Sequence, residues 1–166
     1  MSREDGALEL GEVKACPGWP GEESLEKRKV AVLECVEDIP CNPCEVACPT
    51  GAIVVGTPIT NLPRMDGEKC TGCGLCVAIC PGLAIFLVER NRPDGKAAVT
   101  LPCEILPLPR AGDEVRALDR KGNFLCRAKV LRVHDAKKYD RTRVVTVSVE
   151  KRFCDEARGI EVASHE

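Results

Sequence analysis

Twelve of the 166 residues are cysteines, and eight of them stand at intervals that suit shared metal ligation. Cys70, Cys73 and Cys76 are each separated by two residues, Cys80 follows after three more, and Pro81 comes next. The series recurs 32 residues upstream: Cys41, Cys44, Cys48 and Pro49 fall on Cys73, Cys76, Cys80 and Pro81, and Ala52-Ile53 falls on Ala84-Ile85. The chain therefore holds two copies of one unit. Thiolates two residues apart can curl around one face of a metal–sulfide cube, because so short a loop brings successive sulfurs to neighbouring irons and turns backbone N–H groups toward the inorganic sulfides. Gly72 and Gly74 lie between these cysteines, where close approach and positive φ favour glycine. A cysteine on the short helix leaving the loop, turned away by a proline, reaches the neighbouring cube instead of its own.

Other uses of cysteine fit less well. Zinc ribbons also contain Cys-x2-Cys pairs, but a tetrahedral site does not account for a third cysteine at the same pitch or for proline after the fourth in both copies. Disulfides belong to oxidising compartments, and Met1 to Leu10 has neither the basic start nor the apolar run of a secretory signal. No stretch reaches the roughly 18 consecutive apolar residues of a membrane span. A cytoplasmic, metal-binding protein with no membrane contact is the expectation. Cys16, Cys103, Cys126 and Cys154 have no partners at ligand spacing and are expected to be small buried thiols.

From about Val30 to Thr100 the sequence resembles the two-cluster bacterial ferredoxins, and its second motif, Cys70-x2-Cys73-x2-Cys76-x3-Cys80-Pro81, matches fully. The resemblance implies two 4Fe–4S clusters, one held by Cys48, Cys70, Cys73 and Cys76, the other by Cys41, Cys44, Cys80 and one further ligand. At that ligand the first copy departs, since the residue 32 before Cys70 is Asp38. Either the first loop is three residues longer and Cys35 takes the position, or Asp38 ligates through oxygen. Thiolate is the softer ligand and suits cluster iron better, which favours Cys35, whereas a carboxylate would leave one iron labile.

The longer string from Glu34 to Ile53, ECVEDIPCNPCEVACPTGAI, resembles small ferredoxin-like subunits found with flavin-dependent dehydrogenases of the proline and hydroxyproline type. That resemblance implies an electron-transfer subunit that takes electrons singly from a partner's flavin within a hetero-oligomeric complex and passes them to an acceptor. No catalytic equipment is expected in the chain itself. Gly72-x-Gly74 lacks a third glycine and a long following helix, and His134 and His165 stand alone. Two alternatives remain open: a free-standing ferredoxin shuttle, and a structural iron–sulfur module with a nucleic-acid-binding β domain.

The ligand loops need elements to hold them. Val30 to Glu34 and Ala52 to Val55 read as strands flanking the first loop, and Leu83 to Val88 with Ala97 to Leu101 read as a hairpin after the second. The fold class is α+β, a ferredoxin-like dicluster domain over 30–102. Residues 1–29, with Pro17, Gly18, Trp19, Pro20 and Gly21, read as an extended segment whose Trp19 could anchor a partner or fold back. After Pro102, Pro107 and Pro109 the pattern becomes longer alternating strands, so 103–166 is expected to be a small all-β module, an SH3-like barrel, with a C-terminal tail. Between Arg110 and Arg152 stand 13 basic and 6 acidic residues, in a chain whose formal charge is only −2. This module offers a basic face for an acidic partner. Five aromatic residues in all leave no stacking platform, so no nucleic acid is expected.

Overall fold

The computed structural model describes residues 6–139 and 141–162. The elements in chain order are α1 (Leu10–Ala15), α2 (Glu22–Lys27), β1 (Val30–Leu33), α3 (Pro43–Ala47), β2 (Ile53–Val54), β3 (Arg64–Met65), α4 (Leu75–Ile79), β4 (Ile85–Glu89), β5 (Ala97–Cys103), β6 (Glu114–Leu118), β7 (Phe124–His134), β8 (Arg143–Val149) and β9 (Gly159–Val162). Strands β2 and β3 pair with each other, and the remaining strands form one antiparallel sheet of order β1-β4-β5-β8-β7-β6-β9.

The sequence repeat is a physical one. Antiparallel partners Leu33 and Ile85 in β1–β4 correspond, at the same offset of 32, to Met65 and Ile53 in β3–β2. Glu34 N–H donates to Ala84 O and Asp66 N–H to Ala52 O, each at 2.8 Å. The two copies thus embrace in a pseudo-two-fold pair, each completing the other's ladder. One N-terminal strap serves both: Leu33 N–H donates to Gly18 O at 3.1 Å and Met65 N–H to Pro17 O at 2.9 Å. Gly18 is required by that approach, since a Cβ there would stand 2.5 Å from Leu33 O.

Apolar runs with a period of two let β1 and β4 serve two cores. Val30, Val32, Phe86 and Val88 face the core shared with β5 to β9, while Ala31, Leu33, Ile85 and Leu87 face the core around the cysteines. The alternation expected in the C-terminal strands is observed, with Cys126, Ala128, Val130, Val145, Val147 and Val149 buried together.

Two expectations are corrected. The N-terminal stretch is not simply extended: α1 and α2 flank the Cys16 to Pro20 strap, and Val13 and Leu25 are fully buried. Their short helices are set by local charge. Glu12 accepts from Glu9 N–H at 2.9 Å, and Glu22 and Glu23 open α2 while Lys27 closes it, in the sense the helix dipole favours. Trp19 folds back against the larger core, and its indole N–H donates to Glu22 at 3.2 Å. Residues 1–5 lie outside the described residues, as does His165.

Nor do the C-terminal strands close into an SH3-like barrel. β8 pairs with β5 over seven residues, Ala97↔Val149 to Cys103↔Arg143, so its second edge is used by the sheet of the cluster domain, and β1 and β9 remain the sheet's two ends. The sheet therefore runs unbroken across residue 102.

Buried charge binds the ends of the chain together. Glu34, the residue before Cys35, receives Arg120 in a bidentate pair at 2.6 and 2.7 Å and Arg158 Nε at 2.5 Å. Burial would raise the Glu34 carboxyl, but these two guanidinium groups outweigh it and hold the group below its ordinary range. Arg90 likewise joins Glu22 and Glu26 of α2 to Asp155. Removing one partner of a buried pair leaves an uncompensated charge. Arg158→Met is expected to lower stability by about 3 kcal/mol in denaturant titrations, whereas Arg127→Met, at an exposed pair, should shift it by less than about 0.5 kcal/mol.

Candidate metal centres

Each ligand loop leads into a one-turn helix at corresponding positions, α3 and α4, whose last residues are followed by Cys48 and Cys80. These two cysteines have nearly the same backbone, φ −78 and ψ 109 against φ −69 and ψ 114. The turn after each Cys-Pro closes with an N–H bond to the cysteine carbonyl, from Gly51 and from Leu83. That closing residue needs a left-handed conformation. Gly51 supplies it at φ 64, whereas Leu83 adopts φ 52 despite its side chain.

The turns aim the thiols across the pseudo-axis. Cys48, from the first copy, lines a cavity together with Cys70, Cys73 and Cys76. Cys80, from the second, lines another with Cys35, Cys41 and Cys44. Among the described residues no three His, Cys, Asp or Glu side chains gather tightly enough to hold a single ion. The thiols surround space instead of converging on a point, which is the arrangement a cluster needs.

The donor chemistry fits as well. Cys70 Sγ accepts from Ala31 and Gly72 N–H at 3.5 and 3.4 Å, and Cys48 and Cys80 accept from Ala52 and Ala84 N–H at 3.3 and 3.4 Å, again 32 residues apart. Such bonds stabilise thiolate and tune cluster potential. Burial, with repulsion among neighbouring thiolates, pushes Cys35 and Cys76 up to about 12 and Cys44 to about 11. At Cys48 burial is outweighed by donors from Thr50, Ile53 and Ala52, which hold its thiol below the ordinary value. The protein alone does not ionise all four thiols of a cavity; a cationic iron–sulfide core supplies the missing charge.

Cys35 lines the second cavity and Asp38 does not. No residues are inserted to achieve this, because the copies stay in register from Leu33/Met65 through Cys41/Cys73. The thiol stands three residues earlier in a loop of unchanged length, and Glu37 to Pro40 are exposed at the cavity's edge. The corresponding position in the second copy is Gly67, where a Cβ would lie 2.4 Å from Ser24 Oγ and 2.8 Å from Pro20 O, so no cysteine fits there. Of the remaining cysteines, Cys103, Cys126 and Cys154 are buried, and Cys16 donates to Glu12 O at 3.2 Å.

Tyr139 is a contributor that composition could not reveal. It lies on a 3₁₀ turn (Lys137–Tyr139) between β7 and β8, packs over Gly74 and donates from its hydroxyl to Cys73 O at 3.1 Å. His134 neighbours its ring at 6.3 Å between centroids. Tyr139 lies in the connection between β7 and β8, and His134 is the last residue of β7. For the ligand choice, Cys35→Ser is expected to halve the iron content and abolish one of two paramagnetic cluster signals, while Asp38→Ala keeps both; the reverse pattern would assign the carboxylate.

Comparison with known proteins agrees with this geometry. Residues 34–84 match the family model described as a 4Fe-4S dicluster domain. A stretch of 49 residues, 30% of this chain, is 55% identical to a subunit of the ion-translocating oxidoreductase complex of Methanosarcina acetivorans and covers 17% of that protein. Another of 45 residues, 27% of the chain, is 49% identical to a subunit of the Na(+)-translocating ferredoxin:NAD(+) oxidoreductase complex of Acetobacterium woodii, covering 13% of it. A ferredoxin of Methanocaldococcus jannaschii is 32% identical over 80 residues, 47% of this chain and 49% of its own length. The chain thus spans less than a fifth of the two complex subunits and about half of the ferredoxin. No solved structure matches it. With the cysteine cavities, these matches make the chain an electron-transfer iron–sulfur protein built around two 4Fe–4S clusters.

Proposed function

We propose that this protein is a non-catalytic subunit that relays single electrons from a partner flavoprotein dehydrogenase of the amino-acid-oxidising type to an acceptor. Cys48, Cys70, Cys73 and Cys76 hold one cluster, and Cys35, Cys41, Cys44 and Cys80 hold the other. The observation that carries this reading is the pair of four-thiol cavities, each completed by a cysteine of the other copy. A flavin gains electrons in pairs and can release them singly, and two adjacent clusters can each accept one. What the chain's own residues do is bind, orient and shield: N–H donors set the sulfurs, and Tyr139 and Glu34 fix the two loops.

Two relatives bear the names of complex subunits, which supports a place in an assembly. The flavin partner is supported by the Glu34 to Ile53 string. A free-standing carrier is the second reading, favoured by the relative that is a ferredoxin by name. Anaerobic isolation without separation of partners, followed by mass spectrometry, should retain a flavoprotein at fixed stoichiometry, and dithionite should reduce the chain reversibly by two electrons. Recovery of the chain alone would favour the shuttle. Colourless material containing stoichiometric zinc, or salt-dependent RNA binding without reversible reduction, would overturn the electron-transfer role.

A further inference from the structure

We infer that the two cluster cavities open onto docking surfaces of opposite charge. The mouth beside Cys73 receives a redox protein whose centre is rimmed by carboxylates, and the mouth beside Cys41 one whose centre is rimmed by Lys and Arg around an apolar spot. This deepens the relay reading and rests on it.

At the first mouth Cys73 is exposed, so this loop brings the cluster close to the surface. The Lys29 side chain crosses Gly72 in that loop, its Cε 2.7 Å from where a Cβ would stand. Arg132 is exposed on β7, and its charge reaches the Tyr139 hydroxyl that is bonded to Cys73 O. The nearby acids are already matched: Asp66 pairs with Lys69 at 2.9 Å and Glu68 with Arg28 at 3.0 Å. Among the described residues this leaves the cations Lys29 and Arg132 beside the loop.

At the second mouth the sign reverses. Glu37 and Ile39 line the cavity itself, with Asp38 between them, and all three are exposed. Ile39 is 57% exposed and Ile59, whose carbonyl accepts from Cys41 N–H at 3.1 Å, is 46% exposed. An apolar pair beside carboxylates that form no ion pair among the described residues suits a partner with complementary apolar and cationic groups. The exposed loop that moved the ligand from position 38 to Cys35 is the same loop that carries these groups.

A chain with formal charge −2 would, as a uniform anion, repel every acidic partner. Local fields at the mouths predict otherwise, because charges beyond about 8 Å are screened at physiological salt. Two stand-in acceptors separate the cases: a lysine-rimmed ferric cytochrome c and an acidic oxidised flavodoxin, each mixed by stopped flow with dithionite-reduced protein freed of excess reductant. In each reaction one electron leaves a cluster, reducing one ferric haem to ferrous, or, with one solvent proton, one flavin by a single electron.

Added salt should slow both reactions. Lys29→Glu with Arg132→Glu should slow flavodoxin reduction by about tenfold and leave cytochrome c unaffected, whereas Glu37→Lys with Asp38→Lys should do the converse. Iron content measured alongside confirms that both clusters remain, and where a variant loses iron the salt dependence of the unaltered protein decides. Flavodoxin reduction that accelerates with salt, or variants that affect both acceptors alike, would overturn the two-signed arrangement. Unaltered, iron-replete protein that reduces neither acceptor would remove the relay reading itself.

Discussion

Four thiolates cannot share a small apolar cavity unless positive charge sits among them. Burial and mutual repulsion keep Cys35, Cys44 and Cys76 protonated well above neutral pH in the protein alone. The iron–sulfide core that removes those protons is at the same time what fills the core, since Cys44 and Cys76 belong to the buried cluster with Ala52, Ile53, Val77 and Ile85. The shortage of large aromatic side chains, five in the whole chain, becomes intelligible once inorganic cubes occupy the volume.

The rest of the fold works to hold two short loops still. The pseudo-two-fold pairing fixes the strands on either side of each loop, and the Pro17-Gly18 strap ties both halves with one bond apiece. The C-terminal strands add a second grip on each: Arg120 and Arg158 seize Glu34 at the root of the first ligand loop, and Tyr139 seizes the carbonyl of Cys73 in the second. These contacts are held by an extended sheet whose strand β8 continues the cluster domain through β5.

Where the two copies differ, packing explains the difference. Gly67 is closed to any side chain by Ser24 and Pro20, while its counterpart Cys35 has a cavity to enter. In the copy with the early cysteine, five residues instead of two separate it from Cys41, and Glu37, Asp38 and Ile39 among them are exposed. Leu83 at φ 52, where the first copy has Gly51, marks the reverse case, a turn geometry so constrained by the Cys80 bond that it persists without glycine.

Much of the cluster chemistry was legible in the linear chain. The spacing of seven cysteines from Cys41 to Cys80, the prolines behind Cys48 and Cys80 and the offset of 32 residues mark two copies of one unit, because ligand spacing within one loop is a matter of a few covalently connected residues. Strand alternation in β7 and β8 was legible for the same local reason. What the chain could not disclose depends on contacts between distant residues. The helices on either side of the Pro17-Gly18 strap, the merging of the C-terminal strands into one sheet and the reach of Tyr139 to Cys73 all follow from which surfaces meet. Local spacing carries no information about those meetings; only the packed structure decides them.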